Sequence, residues 1–130
     1  MIENLKKVIS KSATAYSGSV SRFYYGYVPQ NKSFPYVSYY FITETYNGSD
    51  TGTLYGDVKL QFNVYSNLND YGTECNNILQ NIVDYYDTQI VNYSVGTVNM
   101  ISCTRDFLRP PLFIEQVWQG LVQYNLHMQN

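Results

Sequence analysis

Between Asp57 and Tyr65 the chain reads DVKLQFNVY, and its side chains alternate without a break. Val58, Leu60, Phe62 and Val64 fall on one side of an extended backbone; Lys59, Gln61, Asn63 and Tyr65 fall on the other. Successive side chains of a strand point to opposite faces, so this segment is a strand with one dry face and one wet one. A few residues later the period changes. Cys75, Ile78, Leu79, Ile82, Val83 and Tyr86 form a single apolar stripe at helical spacing, with Asn76, Asn77, Gln80, Asn81 and Asp84 opposite. Asp70 or Thr73 is placed to cap that helix. A one-faced strand beside a one-sided helix leaves each with an apolar surface that the other can cover, and this points to a helix packed on a sheet.

The remaining elements are read around that pair. Ile2, Leu5, Val8 and Ile9 repeat at helical spacing and predict a first helix from about Ile2 to Ala15, ended by the small residues of YSGSVS. Two strands are expected near Arg22 to Tyr27 and Tyr36 to Thr45, split by VPQNKSFP, whose prolines cannot sit inside a central strand. ETYNGSDTGTLYG reads as a long polar connection whose ends extend the flanking strands. Val98 to Arg105 reads as a further strand; RDFLRPPLF then interrupts the pattern, and its double proline favours an extended connection. In the closing EQVWQGLVQYNLHM, Trp118, Val122, Tyr124, Leu126 and Met128 share one face. Gln119, Gln123, Asn125 and His127 share the other with Val117 and Leu121. The expectation is one α+β domain over residues 1–130, a mainly antiparallel sheet of about five strands with two helices on one face, in the order α-β-β-β-α-β-β.

The stretch RFYYGYVPQNKSFPYVSYYF, Arg22 to Phe41, holds six tyrosines and three phenylalanines. Period two cannot bury all of them, so some rings belong to the core and others to an outer surface. Charged residues make up 14% of the chain and the formal net charge is -2, which leaves a surface that is polar without strong self-repulsion. Tyrosine and tryptophan are enriched where proteins meet proteins. A sheet that stacks single-stranded bases would also use such rings, but it needs a basic groove to track the backbone, and Lys6, Lys7 and Lys11 fit one solvated helix face instead.

Catalytic chemistry has little to work with. His127 is the only histidine and lies on the polar side of a strand, away from any nucleophile-bearing motif. Cys75 and Cys103 have no CxxC spacing and no nearby histidine, so they read as small buried thiols and make no zinc site. The glycines of GSDTGTLYG lack the lysine and helix start of a phosphate loop. Asp84 and Asp87 stand one helical turn apart at an exposed helix end, and Glu44, Asp50 and Asp57 flank a solvated loop. No catalytic, cofactor or metal residues are assigned, and a non-enzymatic protein is expected. Neither a secretory signal nor a membrane span is read in the sequence, and the sequons at Asn31, Asn47 and Asn92 follow from an Asn- and Ser-rich composition; a reduced, cytosolic site of synthesis is expected.

The order of these segments resembles a known family. Val28-Pro29, then Pro35-Tyr36-Val37, then the strand from Val58 through Ser66 (VKLQFNVYS) followed by an amphipathic helix, is similar to the tail terminator, or tail completion, proteins of long-tailed bacteriophages. The resemblance covers most of the chain. It implies a virion subunit, assembled in the host cytoplasm, that forms a homo-oligomeric ring, commonly of six, on the head-proximal end of the tail tube. That ring stops tube polymerisation and joins the tail to neck, connector or head-completion proteins, with DNA passing its lumen and no sequence-specific nucleic-acid contact. A closed ring needs two different complementary patches on each subunit. The alternatives are another head–tail neck or connector protein, or a monomeric binding module, for example one that takes single-stranded nucleic acid on a tyrosine-rich sheet.

Three sets of residues are candidate contacts. The first is the exposed fraction of Tyr24, Tyr25, Tyr27, Tyr39 and Tyr40. The second is the long connection Thr45 to Gly56, with Tyr46, Asn47, Asp50 and Tyr55, because a connection of that length in a compact domain commonly has a function. The third is a charge pairing between subunits through Arg105, Asp106 and Arg109 beside the double proline. Trp118 shares a face with Val122 and Leu126 and is expected in the core.

Overall fold

The computed structural model describes residues 23–26, 33–48, 54–88, 94–95 and 98–129. Strands β1 (Phe23–Tyr25), β2 (Tyr36–Gly48) and β3 (Leu54–Ser66) precede the helix α1 (Thr73–Thr88); β4 (Ser94–Val95), β5 (Val98–Ile114) and β6 (Val117–Gln129) follow it. The fold is α+β. One six-stranded sheet has the order β1-β2-β3-β6-β5-β4. It is mixed: β1 lies parallel to β2, with Phe23 opposite Val37, and every other ladder is antiparallel. Five of the strands are those the sequence predicts; β4, with two residues, is too short to leave a pattern. Of the two predicted helices, only α1 is found among the described residues. The other, at Ile2 to Ala15, lies outside them.

The core forms where the alternation meets the stripe. Val58, Leu60, Phe62 and Val64 on β3, and Val122, Tyr124 and Leu126 on β6, are buried. So are Cys75, Ile78, Leu79, Ile82, Val83 and Tyr86 on α1, and Val37 and Tyr39 on β2. Full burial of each large aliphatic or aromatic side chain contributes about 1.5–3 kcal/mol relative to exposure. The helix sits close because Gly120 on β6 has no side chain. A Cβ there would lie 3.2 Å from the Leu79 Cδ2 and 3.5 Å from the Cys75 Sγ.

Asp70 caps α1. Its carboxylate accepts the Glu74 N–H at 2.9 Å and the Gly72 N–H at 3.2 Å. Thr73, the other candidate, points its hydroxyl at the Asp70 carbonyl instead, at 2.8 Å. Entry to the helix also needs Gly72, whose φ is +83° and whose Cβ position would lie 2.9 Å from the Trp118 ring. Only a glycine meets both conditions without strain.

The ends of the polar connection extend the flanking strands, as expected: Thr45 to Gly48 pair with Leu54 to Asp57, from Thr45 opposite Asp57 to Gly48 opposite Leu54. The polar connection is therefore the far end of a long hairpin, of which 49–53 lie outside the described residues. The double proline, expected in an extended connection, belongs to β5, at a register shift between Arg109 and Leu112. Proline supplies no N–H to a ladder and is confined to edges and bulges. Pro110 and Pro111 have both: among the described residues, β5 is covered on that side only by β4, at Val98 and Asn99.

Candidate interaction surfaces

The tyrosine-rich stretch divides by face. On the helix side, rings run in contact from the sheet edge into the core: Tyr25 to Tyr39 at 5.5 Å, Tyr39 to Phe62 at 6.0 Å, Phe62 to Tyr86 at 4.9 Å and Tyr86 to Tyr124 at 5.4 Å. Tyr39 is thus a core residue, and its place among the candidate contacts is corrected: a ring 5% exposed is not available to a partner. Its burial also raises its hydroxyl pKa, with the Tyr25 hydroxyl adding to the effect. On the opposite face, Tyr36 stacks on Tyr65 with centroids 4.9 Å apart, and Tyr24 meets Tyr36 edge-on at 6.2 Å. Tyr40 is half-buried there and accepts a hydrogen bond from the Gln61 amide at 2.9 Å. Tyr24 is half-buried and Tyr25 is exposed, while Tyr27 lies outside the described residues.

Tyr46, Asn47 and Tyr55 belong to the paired arms of the β2–β3 hairpin, and Asp50 lies outside the described residues. The charged set forms pairs within the chain. Arg105 meets Asp87 at 3.7 Å and Asp106 meets Lys59 at 3.6 Å, all of them partly exposed. Such surface pairs contribute about 0–1 kcal/mol. Arg105 and Asp106 therefore have partners on their own subunit. Arg109 lies further along β5. Its Nε is buried and has no hydrogen-bond partner among the described residues.

Asp84 and Asp87 point different ways. Asp84 accepts from Gln80 at 2.7 Å, while Asp87 accepts from the Tyr124 hydroxyl at 3.1 Å. Burial, followed by the nearby Asp87 carboxylate, raises the Tyr124 pKa far above that of free tyrosine. His127 lies on the polar face, 2.7 Å from Asp57 directly across the β3–β6 ladder. Burial also pushes the thiols up, Cys75 to about 11 and Cys103 to about 12, and both are free. A thiol held protonated at neutral pH is a poor nucleophile. Among the described residues no group of three or more His, Cys, Asp or Glu could hold a metal ion, and no helix is long and apolar enough to cross a membrane.

A surface that sequence reasoning passes over lies at the β5–β6 turn. Leu112, Phe113 and Ile114 are exposed there, as are Phe107 along β5 and Tyr71 at the helix entry. The signal was present in PPLFI, an apolar run of three with no polar alternation. A shallow depression of about 270 Å³, lined by Tyr71, Gly72, Thr73, Asn76 and Pro111, joins the turn to the helix entry. Its open shape and largely polar lining do not suit enclosure of a small molecule. In comparison with known proteins, no protein-family model matches the chain and no curated protein is significantly similar to it in sequence.

Proposed function

We propose that the protein is a structural subunit of a long-tailed bacteriophage virion. In this reading it forms a ring on the head-proximal end of the tail tube, stops the tube from growing and presents a docking surface to neck or connector proteins. The observation that carries it is the length of the sheet relative to its core. The helix, with 16 residues, is about 24 Å long. The 13-residue strands β2, β3 and β6 are each about 44 Å long. The helix ends near Tyr124, where Asp87 accepts the tyrosine hydroxyl, yet the β3–β6 ladder continues to Tyr55 opposite Gln129. The β2–β3 hairpin reaches further still, to Gly48 opposite Leu54.

Among the described residues no helix follows the hairpin to its outer end, and we read that end as an arm that contacts something outside the subunit. The low charge and the half-buried tyrosines of the polar face support the same reading, as does the order of motifs from Val28-Pro29 to the strand ending at Ser66. Its partners are further copies of itself, the tail tube protein and the neck proteins; no catalytic role is assigned.

The test is tube growth in the presence of the purified protein, followed by negative-stain microscopy. Tubes are expected to stop lengthening and to carry a ring at one end. Deleting residues 48–52 is expected to leave the thermal unfolding transition in place and to abolish capping. Tubes that grow to the same length with and without the intact protein would overturn the proposal.

A further inference from the structure

Among the described residues, eight large hydrophobic side chains are exposed; Tyr71, Leu112, Phe113 and Ile114 gather in one zone, and Tyr25 and Ile42 lie in a second toward the opposite edge of the sheet. The larger zone is the β5–β6 turn and the helix entry beside it. Leu112, Phe113 and Ile114 are 49%, 59% and 38% exposed. They pair with Gln119, Trp118 and Val117 in turn. Successive side chains alternate, so this apolar run faces both sides of the hairpin. A continuous apolar run is the pattern of a strand buried on both faces. Here all three residues of the run keep between 38% and 59% of their surface exposed.

Phe113 lies 5.0 Å from Trp118, and the Trp118 ring in turn rests on Gly72, which brings the 93% exposed Tyr71 into the same zone. At 150–250 Å² for a whole aromatic side chain, the exposed fractions of Tyr71 and Phe113 alone amount to roughly 230–380 Å². That falls in the range of the largest patch on a typical monomer, about 300–600 Å², where such patches are often functional. The smaller zone is at the other edge, where Tyr25 of β1 and Ile42 of β2 are exposed beside Phe41, whose ring is 5.6 Å from that of Tyr25.

We propose that the β5–β6 turn inserts against the β1–β2 edge of a second copy of this chain. This rests on the assembly reading above and names its contact. The occupant is a copy because the two unlike apolar zones lie on opposite edges of one sheet. That is the arrangement a head-to-tail contact requires, and repeating it by a rotation closes a ring. A single foreign partner would call for one zone. The contact is made by side chains rather than by added strands, since Pro110 and Pro111 have no N–H to offer along the last stretch of the β5 edge.

The test uses the full chain. Sedimentation equilibrium is run on the wild type, on Phe113→Asp and on Phe113→Leu, with circular dichroism and urea unfolding as the check on folding. The wild type is expected to self-associate, Phe113→Asp to weaken association at least tenfold with an unchanged fold, and Phe113→Leu to retain it. Leu112→Ser is a second variant should Phe113→Asp not fold. A photo-crosslinking phenylalanine analogue in place of Phe113 is expected to join copies through the peptides that carry Tyr25 or Ile42. A wild type that stays monomeric to millimolar concentration, association indifferent to Phe113→Asp and Leu112→Ser, or cross-links that map elsewhere would each overturn the contact. The two readings fail separately. Association that depends on Phe113 in a protein that ignores tail tubes removes the capping role and keeps the contact; tubes capped equally well by Phe113→Asp do the reverse.

Discussion

β6 has a long neighbour on each side, and its two ladders differ in kind. With β3 it pairs from Tyr55 opposite Gln129 to Ser66 opposite Trp118 without a register shift. With β5 the register breaks three times, between Met100 and Ser102, Arg105 and Phe107, and Arg109 and Leu112. β3 is held between two strands and under a helix, so a slip of one residue would turn Leu60 and Phe62 out of the core. Among the described residues β5 has, for most of its length, a neighbour on one side only. Bulges cost little there, and they help to keep an open edge from adding foreign strands. β3 is thus regular where it builds the fold, and β5 irregular where it meets the outside.

The sharpest way to break this comparison is to truncate one ring on each side of it. Phe62→Ala is expected to cost about 3–5 kcal/mol in urea unfolding, because it opens a cavity between Tyr39 and Tyr86. Phe107→Ala on β5 should stay within about 0.5 kcal/mol of the wild type, since its ring is already 52% exposed. Equal losses would mean that β5 is as much a part of the core as β3. A smaller effect is expected where the two regions join. Gly72→Ala places a side chain at positive φ and against Trp118, at a cost of about 2 kcal/mol in the same assay. The least effect has the opposite sign. Glu115 and Gln116, at φ +51° and +66°, form the two-residue turn between β5 and β6, where asparagine and glycine are the favoured residues. Glu115→Asn combined with Gln116→Gly should raise stability by about 1 kcal/mol, read as a higher urea midpoint.

The difference between the ladders also explains what the sequence revealed. β3, α1 and β6 were legible because burial on one face writes a period into the residues: the stripes from Val58 to Val64 and from Cys75 to Tyr86 are buried, as are Val122, Tyr124 and Leu126 of β6. How far the β2–β3 hairpin extends was less legible, for the converse reason. Tyr46 to Gly48 and Leu54 to Gly56 are joined by backbone pairing, which needs no apolar alternation and tolerates glycine. β5 was hidden past Arg105 because three register shifts scramble period two, and because two prolines read as a break when no neighbour list says that the strand is an edge. The interior place of Tyr39 was missed since six tyrosines in one stretch carry the same chemical signal whichever face they take; only the pairing of Val37 with Val64 fixes which ones turn inward. The apolar turn at Leu112 to Ile114 was in plain view and unassigned, because a run without period has no face until the strand is known. The likeness to tail terminators came from motif order, which the register supports no more than it would any sheet with a helix on one face.

Trp118 is the only tryptophan among fifteen tyrosines, and it sits at the seam between these regions, with Gly72 behind it and the exposed Phe113 in front. The chain therefore carries its own optical reporter at the place where the turn would be covered. Light absorbed by the tyrosines and passed to that indole will leave it at a wavelength set by how much water surrounds the turn. Shielding of the turn by a second copy would shift this emission to the blue while the helix and sheet signals stayed still, and the protein's own colour would follow its assembly without a label.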